Sequence, residues 1–222
     1  MRAIAVPPEI DVGRSADQRP AIPPSHPALA PASITTEIRI AGFGGQGVIL
    51  AGMIIGRAAT IYDSRHVTLT QSFGPEARGS ACSVQLIISS EPILYPYLTH
   101  PDILVVMSQE AYVRFAPGLK PGGKLIYEED MVDPHPLPRE GLPAGPLDAT
   151  CFHVPATRLA EELGRKMVLN VVMVGFTAAV TGIITPEATR RAVRESVPSG
   201  TESLNLAAFE KGLEFGLTRS HP

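Results

Sequence analysis

A short apolar strand that runs into a glycine-rich turn and out into a helix constrains this chain more than any other feature. Ile38, Ile40 and Ala41 supply the strand, and Gly42-Phe43-Gly44-Gly45-Gln46-Gly47 supply the turn. Val48, Ile49, Met53, Ile54, Ala58 and Ile61 then recur at helical spacing, so a helix is expected over 46–62. His66-Val67-Thr68-Leu69-Thr70 follows as a β-branched strand. A strand–helix–strand unit of this kind is right-handed, with its two strands parallel.

The same alternation continues. Strands are expected at Ser83–Ser89, Asp102–Met107, Lys124–Tyr127 and Cys151–Val154. Helices are expected at 109–116, behind an N-cap at Ser108, and at about 156–164, 168–183, 186–195 and 201–217. Thr185-Pro186-Glu187 has the form of a helix start, with proline in the first turn and an acid at the positive end. The fold class is therefore α/β: a Rossmann-like, mostly parallel sheet flanked by helices, with a helical C-terminal part. Residues 128–149 hold five prolines and are expected to run over the surface. Residues 1–36 hold seven prolines and little periodicity, and read as an extended tail. That tail is either unordered or a strap across a partner. Residues 37–222 form the single domain.

Gly42-x-Gly44-x-x-Gly47 has the spacing of the dinucleotide fingerprint, in the right context after a strand and before a helix. In that scheme Gly42 permits the tight turn, Gly44 admits a phosphate to the backbone, and Gly47 lets helix and strand pack closely. The turn, with Gly45 and Gln46, either contacts an anionic ligand or serves packing alone. A conventional NAD site wants an acid at the end of the second strand, and Asp63 precedes that strand instead. The strand runs on into Gln71 and Ser72, and then into a loop carrying Glu76 and Arg78. Arg78 is placed either to hold a phosphate or carboxylate, or to pair with Glu76 or another subunit. Ser108, at the end of a later strand, joins the candidate set.

Several functions are excluded. A formal charge of −3 and the absence of tryptophan argue against nucleic-acid binding. Cys82 and Cys151 are the only cysteines, too few for a four-cysteine cluster or zinc site, and are expected to be reduced structural thiols in a cytoplasmic protein. The apolar stretch from Val168 to Ile184 carries Asn170, Thr177 and Thr181 and reads as a buried helix rather than a membrane span. There is no Gly-x-Ser-x-Gly elbow and no His-Glu-x-x-His, so no self-contained catalytic site is expected. His66 and His153 are expected to be structural, and Asn170 to be a satisfied buried amide.

Two runs carry a family resemblance: Gly42-Phe-Gly-Gly-Gln-Gly47-Val-Ile-Leu-Ala-Gly52 and Thr70-Gln-Ser-Phe-Gly-Pro-Glu-Ala-Arg-Gly79. With Ile87-Ile88-Ser89, Tyr95-Pro96, Gln109-Glu110-Ala111 and Asn205-Leu-Ala-Ala-Phe209, they make residues 37–215 resemble the gamma subunit of the 2-oxoacid:ferredoxin oxidoreductases. The likeness is nearest to the 2-oxoglutarate type. Ser80 stands where a second glycine is common in that family, and the proline-rich tail is extra. The resemblance implies a subunit that is not catalytic alone, in a complex with alpha and beta chains and a possible ferredoxin-like delta chain. Such a complex decarboxylates a 2-oxoacid on thiamine diphosphate with Mg2+, passes electrons through [4Fe-4S] clusters to ferredoxin, and gives the acyl group to coenzyme A. The cofactors are held by other chains, and the gamma part is associated with the coenzyme A side. The rival readings are a purely structural assembly subunit and a free-standing nucleotide-binding oxidoreductase.

Overall fold

A computed structural model describes residues 35–73, 81–135, 137–139, 142–145 and 147–219. The chain from Ser33 to Pro222 is a compact unit. Its six-stranded sheet has the order β2-β3-β1-β4-β5-β8. The strands are β1 (Thr35–Phe43), β2 (His66–Phe73), β3 (Ala81–Ser89), β4 (Ile103–Val106), β5 (Gly123–Glu128) and β8 (Ala149–Val154). β1, β4, β5 and β8 are parallel neighbours. The expected proline-rich tail, 1–36, lies outside the described residues except at its end, where Thr35 and Thr36 already pair with Ser89 and Ile88 in β1.

The first strand–helix–strand unit differs from expectation in one respect. β1 and β2 do run in the same direction, but β3 lies between them, antiparallel to both. Chain length explains this. Only seven residues separate β2 from β3, whereas a parallel crossover needs a dozen or more. A second difference falls in the proline-rich stretch, where β6 (Leu137–Arg139) and β7 (Leu142–Gly145) form a separate antiparallel pair. Each strand of such a pair is an edge, where proline is tolerated.

The two faces of the sheet are covered unequally. On one, Ile38, Ile40, Val84, Leu86, Ile103, Val105 and Ile126 form the larger core with five helices. These are α1 (Val48–Arg57), α3 (Ala156–Glu161), α4 (Leu169–Thr181), α5 (Pro186–Ser196) and α6 (Glu202–Leu217). On the other, Ala41, Leu104, Val106 and Leu125 meet, among the described residues, α2 (Gln109–Phe115) and the 3-10 turn Ala116–Gly118 that follows it. The expected 46–62 helix is thus α1 followed by a π-helical turn, Ala58–Tyr62. The Val168–Ile184 stretch is the buried helix α4, and no helix among the described residues is long and apolar enough to cross a membrane. α4 and α6 meet backbone to backbone. A Cβ on Gly175 would collide with the Phe209 carbonyl, and one on Gly212 with the Val172 carbonyl.

Candidate functional site

The glycine turn leaves the carboxyl end of β1 at the point where the chain's connections change face. From β1 the chain passes to α1 and the larger core, and from β4 it passes to α2 on the opposite face. The crevice between β1 and β4 is therefore the topological switch point, the usual ligand edge of an open α/β sheet. Gly44 and Gly45 are exposed there. Gly45 has φ 101° and Gly47 has φ 74°, the left-handed region that favours glycine. Gly47 is also the N-cap of α1, and no side chain caps that helix end. The first amides of α1 and the positive end of its dipole are thus available to an anion.

The other glycines of the fingerprint have roles different from those expected. A Cβ on Gly42 would lie 2.5 Å from Gln46 Oε1 and 3.3 Å from Met107 Cβ, so Gly42 makes room for the Gln46 carboxamide. Gly47 makes room for Asn170 of α4, whose Nδ2 donates to the Gly47 carbonyl at 3.2 Å. Close helix–strand packing falls instead to Gly52, where a Cβ would lie 2.6 Å from Val84 of β3.

Gln46 closes the crevice from within. Its Oε1 accepts from the Phe43 amide at 2.6 Å, and its Nε2 donates to the Met107 carbonyl at 2.7 Å. Met131 Sδ lies 3.3 Å from the same nitrogen. One side chain thereby joins the ends of β1 and β4 and fixes the shape of the turn. A second amide ties the start of α2 to the loop after β5. Gln109 Nε2 donates to the Asp133 carbonyl at 3.2 Å, and Gln109 Oε1 accepts from the Asp133 amide at 2.8 Å. Neither clamp, nor the Asn170 contact, was assigned from the sequence. Their signal is a long-range pairing that spacing along the chain does not encode.

The remaining candidates are distributed along the same edge. Ser108 is buried, and its Oγ accepts from the Ala111 amide at 3.3 Å, which makes it the N-cap of α2. Gln71 and Ser72 are exposed at the end of β2, opposite Val84 and Ser83 of β3. They stand two strands from β1, about 10 Å by ordinary strand spacing. Glu76 and Arg78 lie outside the described residues. Asp63 is committed elsewhere: its carboxylate accepts from the Thr185 amide and hydroxyl, both at 2.8 Å, and holds the start of α5.

Beyond β5 the edge is acidic. Glu129, Asp130 and Asp133 line a cavity of about 430 Å3 with Gln109, Met131 and His135. The hydrogen bond from His153, with Arg158 adding its charge, holds the Glu129 carboxyl below its ordinary range. Arg158 also binds Asp130 at 2.9 Å. His153 is thus structural, as expected from the sequence. An anionic ligand is favoured on the glycine-turn side of the crevice and disfavoured on this side. Cys82 in β3 and Cys151 in β8 are four strand positions apart, about 19 Å by strand spacing, so they do not fit a shared cluster. Among the described residues no group of three or more His, Cys, Asp or Glu side chains is gathered to hold a metal.

The fold and this edge define a class: an α/β protein with an exposed glycine turn at the switch point of its sheet. Residues 37–215 match the family described as pyruvate ferredoxin/flavodoxin oxidoreductase. The chain is 46% identical over 179 residues to the 2-oxoglutarate synthase subunit KorC of Methanocaldococcus jannaschii, covering 80% of this chain and 92% of that one. It is 47% identical over 182 residues to KorC of Methanothermobacter thermautotrophicus, covering 82% and 95%. The gamma subunit of a keto/oxoacid ferredoxin oxidoreductase from Geobacter sulfurreducens PCA has the same fold, with a TM-score of 0.70 and 37% identity over 83% of this chain and 97% of that one. The chain belongs to the pyruvate ferredoxin/flavodoxin oxidoreductase family, as a subunit of the gamma type.

Proposed function

We propose that this chain is the gamma subunit of a 2-oxoglutarate:ferredoxin oxidoreductase and serves its coenzyme A side. The observation that carries this reading is the uncapped α1 N-terminus behind an exposed glycine turn at the switch point. That arrangement suits the phosphates of a nucleotide-bearing substrate. The substrate class rests on the two relatives at 46% and 47% identity, both named 2-oxoglutarate synthase subunits.

Within this reading, Gly44 and Gly45 let a phosphate approach the backbone, and Arg78 supplies the balancing charge. Gln46 holds the turn in shape without touching the ligand. In the complex, the bond between the carboxyl carbon and the carbonyl carbon of the 2-oxoacid breaks and carbon dioxide leaves. Two electrons pass to oxidised ferredoxin, the coenzyme A thiol gives its proton to solvent, and its sulfur forms a thioester with the acyl carbon. Thiamine diphosphate, Mg2+ and [4Fe-4S] clusters belong to the alpha, beta and delta chains in this scheme. The donor set among the described residues gathers no ligand group for them.

A second reading, a purely structural assembly subunit, is favoured by two observations: Gln46 already takes the Phe43 amide, and Ser108 Oγ already caps its own helix. The free-standing NAD enzyme is disfavoured, because Asp63, the nearest candidate for a ribose acid, is bound to Thr185. The test is to co-express this chain with the other subunits and assay acceptor reduction. Activity that requires this chain, 2-oxoglutarate and coenzyme A together supports the proposal. Turnover by the isolated chain, or by the complex without it, contradicts it.

A further inference from the structure

We propose that the half-covered face of the sheet, centred on Arg39 and Arg114, docks another subunit of the complex through an acidic side chain set among apolar ones. The inference rests on the gamma-subunit reading above.

The face is defined by strand alternation. Arg39 of β1, Gln85 of β3 and Thr70 of β2 form one cross-strand row, and Glu37, Ile87 and Thr68 form the next. These residues point away from the larger core, to the side where α2 packs on β1 and β4 only. Arg39 Cζ lies 4.8 Å from the centre of the Phe115 ring, and Arg114 Cζ lies 5.2 Å from the same centre. Two guanidinium groups thus share one aromatic ring. Among the described residues neither has a carboxylate within ion-pair distance. Glu37, the acid nearest along β1, is bound to Lys120 at 3.2 Å. Arg39 Nε and Thr68 Oγ1 are buried without a hydrogen-bond partner. Burial, with the Arg114 charge adding, lowers the Arg39 pKa. A carboxylate placed against the two guanidinium groups would relieve that repulsion and accept from exposed Arg114.

The rim of the face is apolar. Leu94 is 97% exposed, Tyr95 and Tyr97 are exposed beside it, and Val113 projects from α2. The tyrosine rings meet edge to face at 5.6 Å, over a cavity shared with Glu37 and Ile87. Arginine and tyrosine beside exposed aliphatic side chains are the usual composition of a protein interface. A free anion such as phosphate would leave Leu94 and Val113 uncovered, so the charge complementarity and the apolar rim together select a protein segment.

The test uses the complex assembled from this chain and its partner subunits. Arg114 is exposed, so R114E spares the fold, which the melting temperature of the isolated chain checks. R194E on exposed α5 makes the same charge change on the opposite face. We expect R114E to weaken subunit association about tenfold or more, with reduced sensitivity to salt, and R194E to leave it within about twofold. A photo-cross-linker at Val113 should capture a partner-subunit peptide containing Asp or Glu, and reversing that acid to Lys should restore association of R114E. Unchanged association of R114E, or a cross-link from Val113 only back into this chain, overturns the inference. Failure of the unmodified chain to associate at all would remove the gamma-subunit reading as well, so the two failures are distinct.

Discussion

At the residue scale, the turn depends on two carboxamides, Gln46 and Asn170. Gln46→Ala strands the Phe43 amide and the Met107 carbonyl at a part-buried position. Leaving such groups unpaired costs about 1–3 kcal/mol. We expect the variant to unfold at a lower urea midpoint with an unchanged slope, and an unchanged midpoint would contradict the clamp. Gly47→Ala meets two penalties, the left-handed backbone and the collision with Asn170. Combining it with Asn170→Ala removes the collision, so the double variant should be more stable than the two single losses added together, which a double-mutant cycle measures. The sequence showed the glycine turn and its context because glycine spacing is local. It did not show Gln46 reaching Met107 across 61 positions, or Asn170 reaching Gly47 across 123. Those partners exist only after the sheet has formed.

At the scale of elements, the pattern of apolar residues placed every long helix to within a few residues, because α1, α5 and α6 each bury one stripe on the larger core and α4 is apolar and buried nearly all round. What periodicity could not show is which helices approach most closely. The α4–α6 contact is set by Gly175 and Gly212, where backbone meets backbone. Gly212→Ala should therefore destabilise the fold by about 1–3 kcal/mol, as overpacking does. Gly118→Ala, with open space at its Cβ, should be near neutral, and equal melting temperatures for the two would contradict this packing. The ends of β5, β8 and α3 are joined by Glu129, His153 and Arg158. The Glu129 pKa is lowered on folding. Its contribution is therefore present above the ordinary carboxylate range and is lost as pH falls through the lowered folded value. Glu129→Gln should melt lower than the parent near neutral pH, and the difference should shrink toward about pH 3. A difference independent of pH would show that Glu129 acts by packing alone.

At the scale of the molecule, the two faces of the sheet are covered unequally. Among the described residues, the larger core is closed by five helices, the opposite face meets α2 and the turn that follows it, and no metal-ligating group is gathered at the carboxyl edge. The compact unit begins at Ser33. A truncation starting at Thr35, which keeps the whole of β1, should melt within a few degrees of the full chain, whereas a large loss would show that the proline-rich segment belongs to the core. The coenzyme A assignment is tested most directly by Gly44→Val in the assembled complex, with each substrate varied in turn. The account predicts that the KM for coenzyme A rises about tenfold or more while the KM for 2-oxoglutarate is unchanged. A rise confined to 2-oxoglutarate, with coenzyme A unaffected, would contradict it.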